Sequence, residues 1–288
     1  MQKYTIRDFE RDFPDDAACL DWLRSYLYPD GIFCKVCGEV TKHHRVKSRP
    51  SYSCDRCGHH EHPMASTIFQ DTRTPLRTWF HAVFLMASTR CGISAKQLER
   101  EIGVTYKTAW RMFNRIRSLL NEDDGQLGGT VEIDHTYIGG RRSGKGRGYI
   151  ANKTAVFGAV ERKGRVKTAH VDTVRSKVNS RLIRKHVMPS ALVYTDEGRE
   201  FASLGQRGYR HRRIYHDSKV YVTGDVHTNT IEGFWSLVKR GISGVYHAVS
   251  QKHLQSYLNE YAFRYSHRSD EQPMFQTMLH QVAKAYGD

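Results

Sequence analysis

No apolar run in the sequence approaches the roughly 20 residues that a bilayer-crossing helix needs, so no membrane span is expected. The opening stretch, MQKYTIRDFERDFPDD, has no apolar h-region, which argues against a secretory leader. No basic amphipathic anchor or lipidation motif suggests another route to a membrane. Acids are scarce beside bases: 30 Asp and Glu against 45 Lys and Arg, a net charge of +15. That excess points to a polyanionic partner, and nucleic acid is the expectation once a membrane is set aside. Cysteines number only six, and without a leader they are expected in a reducing cytoplasm. Clustered thiols there indicate a metal before disulfides. Apolar residues at 39% and charged residues at 26% exclude a disordered chain, and 288 residues suffice for two or three packed units.

Four of the six cysteines fall in two C-x2-C pairs, CKVC and CDRC, separated by 16 residues. Each pair sits on a tight turn, so that Cys34, Cys37, Cys54 and Cys57 can converge on one tetrahedral Zn2+. Gly38 and Gly58 follow the second cysteine of each pair, where the turn needs a small residue. His59, His60 and His62 are read as solvated, because four thiolates already close the site. Cys19 and Cys91 stand alone and are read as small buried hydrophobes. The zinc ribbon is placed at about residues 30–62, inside an N-terminal region of residues 1–70.

Residues 71–121 read as helical. Pro75 suits a helix start. Trp79, Phe80, Val83, Phe84 and Ala87 recur at helical spacing and are expected in the core. ISAKQLEREIGVTYKTAWRMFNRI then reads as helix, Gly103 turn, helix. Leu98 and Ile102 are expected inward from the first of these, and Ala109, Trp110 and Phe113 from the second. In a helix-turn-helix the second helix would present Thr105, Tyr106, Lys107 and Arg111 to double-stranded DNA. A plain helical hairpin is the simpler alternative. NEDDGQLGG, 121–129, is acidic and aperiodic and reads as a linker.

The remainder, residues 130–288, reads as three strands, helix, strand, short helix, strand and then helices. TVEIDHTYI alternates, with Val131 and Ile133 to one face and Glu132 and Asp134 to the other. ALVYTDEG is a short apolar strand ending in Asp196. RRSGKGRG, 141–148, suggests a hairpin tip able to touch phosphates. The order predicts a mixed sheet flanked by helices, the ribonuclease-H-like α/β layout. If the first and fourth strands are neighbours, Asp134 and Asp196 meet. Two carboxylates there suit a pair of Mg2+ ions acting on a phosphodiester.

HTNTIEGFWSLVKRG, 227–241, admits two readings. Asn229 and Glu232 have the spacing of an N-cap and its N3 glutamate, and Ile231, Phe234, Trp235 and Val238 form a core stripe. On that reading Glu232 and Lys239 are merely solvated. The same helix also permits Asn229, Glu232 and Lys239 to share a face. Turned toward Asp134 and Asp196, that face would complete a metal site and grip a phosphate.

VEIDHTYIGG, VYTDEGREF and the long segment from His227 to Arg268 resemble the ISXO2-like transposases of the IS1595 insertion-sequence family, and the likeness runs through nearly the whole chain. The resemblance implies a bacterial, nucleoid-associated DNA transposase of the DDE type that binds the terminal inverted repeats of its element. It implies Mg2+- or Mn2+-dependent cleavage with two ions, strand transfer by the freed 3′-OH, and a homo-oligomer on DNA. Carried over, Asp134 and Asp196 are the first two acids, Glu232 or Asn229 the third position, and Lys239 the following base. Two departures are present: His135 where the family usually has an acid, and Gly198 where an aromatic is frequent. A non-catalytic regulator with the same front, or a nuclease of the same fold, is the alternative. Three metal-capable residues at strand and helix ends favour an enzyme over a regulator.

Overall fold

The computed structural model describes residues 3–122, 125–139, 153–196, 198–214 and 227–284. They form two compact units. The front comprises Met1–Arg90, Ala95–Leu119 and the chain from Asp270 on; the back comprises Cys91–Ser94 and Leu120–Ser269. RRSGKGRG and the middle of the linker lie outside the described residues. None of the described helices is long and apolar enough to cross a membrane.

In the front unit, α1 (Ile6–Asp12) opens on a capping box between Thr5 and Asp8, and α2 (Asp16–Leu27) is capped by Asp15. The ribbon follows as β1 (Phe33–Cys34), β2 (Glu39–Val40), β3 (His43–Val46), β4 (Ser51–Cys54) and β5 (His60–Glu61). Then come α3 (Leu76–Ser88), α4 (Ala95–Ile102) and α5 (Tyr106–Leu119). Trp79, Phe80, Val83 and Phe84 are buried as their spacing predicts, while Ala87 is half-buried and Ala82 and Met86 are buried beside them. The same core takes in α9 (Met274–Ala283), whose Phe275 ring lies 5.8 Å from Phe9, 6.0 Å from Phe13 and 5.7 Å from Phe84. Composition gave no reason to detach this helix from the region read as residues 130–288. Its apolar partners lie about 190 residues or more upstream, beyond the reach of any local pattern.

The back unit is built on β6 (Thr130–Ile138), β7 (Thr154–Glu161), β8 (Val166–Val171), β9 (Leu192–Thr195) and β10 (Arg210–Arg213). Their spatial order is β10-β9-β6-β7-β8. The first three strands run antiparallel to one another, while β9 runs parallel to β6 and β10 parallel to β9. This is the ribonuclease-H-like mixed sheet, with β6 at its centre. Because β6 has neighbours on both sides and helices on both faces, residues of both alternating sets, Val131 and Ile133 on one and Glu132 and Thr136 on the other, are buried. Val131 and Ile133 join Phe157, Ala159 and Val193 beneath α6 (Ser176–His186). Ile138, Val156 and Val160 pack against α7 (Asn229–Gly241) and α8 (Gln251–Ser266), meeting Ile231, Phe234, Trp235, Val238, Leu258 and Tyr261. The stripe read in 227–241 is therefore buried, and its opposite face is open.

Candidate active site and nucleic-acid-binding elements

The two C-x2-C turns bring four sulfurs together. Cys34, Cys37, Cys54 and Cys57 hold all their Sγ atoms within 4.8 Å of one another, with Cys34–Cys57 at 3.5 Å and Cys37–Cys54 at 3.9 Å. Tetrahedral zinc with Zn–S near 2.3 Å needs edges of about 3.8 Å, so the tetrad fits that ion. Gly38 and Gly58 adopt φ of +73° and +75°, which lets their N–H groups turn back to the Cys34 and Cys54 carbonyls. Among the described residues this is the only such gathering of three or more His, Cys, Asp or Glu ligand atoms.

Gly103, with φ of +69°, turns the chain between α4 and α5. Leu98, Ala109 and Phe113 are buried as expected, and Ile102 is half-buried. Trp110 is a correction: it is 40% exposed, and Met112 and Ile116 complete the inward stripe instead. An apolar side chain was taken as a core side chain, although the helix phase set by Ala109, Phe113 and Ile116 points Trp110 outward. Trp110 therefore shares the outer surface of α5 with Tyr106, Lys107 and Arg111, all exposed. Thr105 stands one residue before α5, and its hydroxyl accepts from the Thr108 N–H at 3.4 Å, a cap for the helix.

In the back unit, parallel register pairs Glu132 with Tyr194 and Ile133 with Thr195. The next residues, Asp134 and Asp196, therefore stand side by side where β9 ends, on strands about 4.8 Å apart. The end of a parallel strand beside its neighbour is where open sheets of this kind place ligands. Asp134 faces an open cleft of about 460 Å³ lined also by Thr136, Glu232, Ser236, Lys239 and Ser243. Asp196 is not among the cleft's lining residues; its Oδ1 accepts the Gly198 N–H at 3.0 Å. Burial pushes the Asp134 carboxyl up to about 6; the His135 N–H works against this, the charges of Asp196 and Glu232 add to it, and Lys239 partly offsets them. Three of the other residues inferred from the sequence, Asp196, Glu232 and Lys239, thus act electrostatically on Asp134.

The fifth, Asn229, does not behave as inferred. Thr228 stands at the N-cap position of helix α7 without a side-chain capping bond, and Asn229 is the first helical residue, exposed and without a capping role. Glu232 lies at the fourth helical position, so the capping-box reading fails by one residue; its Oε1 instead accepts from Thr228 Oγ1 at 2.9 Å. What occupies the helix terminus is Glu132, fully buried on β6. Its oxygens accept from Thr230 N at 2.8 Å, Ile231 N at 3.1 Å, Thr230 Oγ1 at 2.8 Å and Arg162 Nε at 2.7 Å. Glu132 was legible only as an alternating strand residue; an acid on the inward face of a central strand was the available signal.

The two departures have local reasons. His135 points to the opposite face from Asp134, donates from Nε2 to Asn179 Oδ1 (2.9 Å) and stacks on Phe201 at 5.2 Å. Burial lowers the pKa of its imidazole, so it is a packing residue. At Gly198 a Cβ would come 2.9 Å from the Glu200 carboxylate and 3.0 Å from Asp196 Oδ1, so a side chain there would require these carboxylates to shift.

The sheet order, the thiolate tetrad and the acid pair define a zinc-ribbon protein carrying a ribonuclease-H-like domain. Residues 126–266 match the ISXO2-like transposase domain, and residues 14–60 match the transposase zinc-ribbon domain. The chain is 28% identical over 275 residues to a protein of the transposable element ISH50 of Halobacterium salinarum, covering 88% of this chain and 92% of that one. It is 30% identical over 104 residues to a transposase-like protein of Haemophilus influenzae, covering 36% of this chain and 83% of that one. The chain belongs to the ISXO2-like transposase family. Among solved structures, a Mos1 transposase paired-end complex with left transposon end overlaps 71% of this chain and 75% of that one, at 12% identity and a TM-score of 0.31. That overlap is loose, and the ribonuclease-H-like assignment rests on the strand order.

Proposed function

We propose that this protein binds the terminal inverted repeats of an insertion sequence and catalyses divalent-metal-dependent DNA cleavage and strand transfer. The observation that carries the reading is the adjacency of Asp134 and Asp196 at the ends of two parallel strands, with Glu232 and Lys239 acting on the same carboxylate. Hard carboxylate oxygens on a half-buried, negatively loaded strand end suit Mg2+ or Mn2+. Two such ions would activate the attacking oxygen and neutralise charge on the phosphate. Asp134, Asp196 and Glu232 would hold the ions and Lys239 would contact a non-bridging phosphate oxygen, with Asn229 outside this set.

The basic charge and the outer surface of α5 support double-stranded DNA as the partner. Lys107 and Arg111 provide the charge, and Tyr106 and Trp110 the apolar contact area. The test is strand transfer by purified protein with Mg2+ and DNA carrying the element ends. Joined products are expected. Cutting without joining would reassign the protein as a nuclease, and end-binding without cutting would make it a regulator.

A further inference from the structure

We propose that Glu132 is a positioning residue: its buried carboxylate seats the N-terminus of α7 on the central strand and so sets Glu232 and Lys239 against Asp134. The inference rests on the active-site reading above, and it starts from a requirement of every helix. The first N–H groups of a helix have no partner within it. In α7 the earliest of these intrahelical bonds is Glu232 N–H to the Thr228 carbonyl, at 3.1 Å. The N–H groups of Thr230 and Ile231 point to Glu132 instead, across 98 and 99 residues of chain. A carboxylate at a helix N-terminus also gains from the helix dipole.

Burial makes this contact directive. Glu132 is 0% exposed, and an acid with no solvent is retained only where donors surround it. Arg162 Nε balances its charge, and Arg162 also donates from Nη2 to the His227 carbonyl at 3.0 Å, fixing the residue that leads into the helix. His227 Nδ1 lies 3.4 Å from the same carboxylate. Glu132 precedes Asp134 by two residues and so shares its face of β6. One strand therefore carries both the first acid and the anchor of the helix that brings the third. Glu132 does not line the cleft and has no role in holding the ions.

The test is amide hydrogen exchange joined to kinetics. In the full-length wild-type protein the Thr230 and Ile231 amides should be protected, an outcome no intrahelical bond explains. Glu132→Gln leaves one carbonyl oxygen for two sets of donors, and Glu132→Asp keeps the charge but draws it back by one methylene. Both should lose that protection while the rest of the sheet keeps its own. Both should need about tenfold more Mg2+ or Mn2+ for half-maximal binding, read by calorimetric titration as well as by rate. The rate constant for cleavage should fall by about 100-fold, with end-binding unchanged. Protected amides with wild-type metal binding in either variant would overturn the proposal. If neither variant folds, Thr230→Val removes one donor without burying a bare charge and should give a smaller loss of the same kind; full protection and wild-type metal binding there would likewise overturn it. Loss of protection and of metal affinity in a protein that never joins DNA would uphold the anchor and refute the transposase reading instead.

Discussion

Gly158 stands across the β6–β7 ladder from Asp134, and Trp235 fills the space above it: a Cβ at 158 would lie 2.3 Å from Trp235 Cζ2 and 3.1 Å from Ile231 Cδ1. The missing side chain lets α7 approach the sheet beside the first acid. Gly158→Ala should therefore lift the helix, costing about 1–3 kcal/mol from overpacking. Cleavage should fall further than thermal stability accounts for, while binding to element ends persists. Melting temperature, end-binding and cleavage measured on one preparation check this; equal activity at the lowered stability would separate α7 from catalysis.

Asp134 gives a signed pH dependence. Its proton is held to about pH 6 in the folded chain, against 3.8 as the ordinary value. Between those values the metal-free folded state binds more protons than the unfolded one, so this group's contribution to stability falls as pH rises through the window. Asp134→Asn should stabilise the metal-free protein at pH 7.5 by about 1–2 kcal/mol and give no gain near pH 4. It should also abolish cleavage. Metal binding by the wild type should weaken below about pH 6, as protons compete for the site. A melting profile that does not distinguish wild type from variant across this range would contradict the reading.

Glu232 and Asn229 separate cleanly. Glu232→Gln removes a carboxylate from an exposed helical position, so stability should change by less than about 0.5 kcal/mol. Cleavage should drop by orders of magnitude. Asn229→Ala, at an exposed first position with no capping bond, should leave both nearly intact. The reverse pattern in a cleavage assay would return the third position to Asn229.

Much of this site was legible because its signals are local. The C-x2-C pairs fix the tetrad, and the β-branched runs before Asp134 and Asp196 mark strand ends. The stripe of Ile231, Phe234, Trp235 and Val238 gives the buried face of α7 without any fold knowledge. What escaped is non-local or depends on phase. The helix terminus is satisfied by Glu132, far back in the sequence, so a search for a nearby cap settled on Asn229. Trp110 was assigned by its chemistry where the helix phase pointed it outward. Phe275 has its partners in Phe9, Phe13 and Phe84, and no pattern within α9 could name them.

The outer surface of α5 predicts two kinds of DNA contact. Lys107→Ala should reduce the slope of log affinity against log salt by about one, the mark of a lost phosphate contact. Trp110→Ala should weaken binding with the slope unchanged, since it removes area and no charge. Binding curves at several salt concentrations distinguish the two. Unchanged affinity in both variants would take α5 out of the interface.

Zinc removal should act on the ribbon first. One zinc per chain is expected by metal analysis under reducing conditions, and Cys37→Ser should release it. The front unit should then lose its cooperative melting transition and its DNA binding, while the sheet of the back unit stays folded by circular dichroism. Stoichiometric zinc in Cys37→Ser would show that the tetrad is not the site.

The place of α9 in the front core governs how this chain can be made. Translation delivers the ribbon and α3 early, then the whole ribonuclease-H-like sheet, and only afterwards the phenylalanine that completes the first core. Until residues 270–284 leave the ribosome, the cluster of Phe9, Phe13 and Phe84 lacks the Phe275 ring that completes it, and the nascent front must wait with an apolar face uncovered. The described strands of the back unit, by contrast, are all in hand before α9 emerges. The order of maturation therefore runs against the order of the sequence: a helix that emerges after the sheet closes a unit whose other helices precede it.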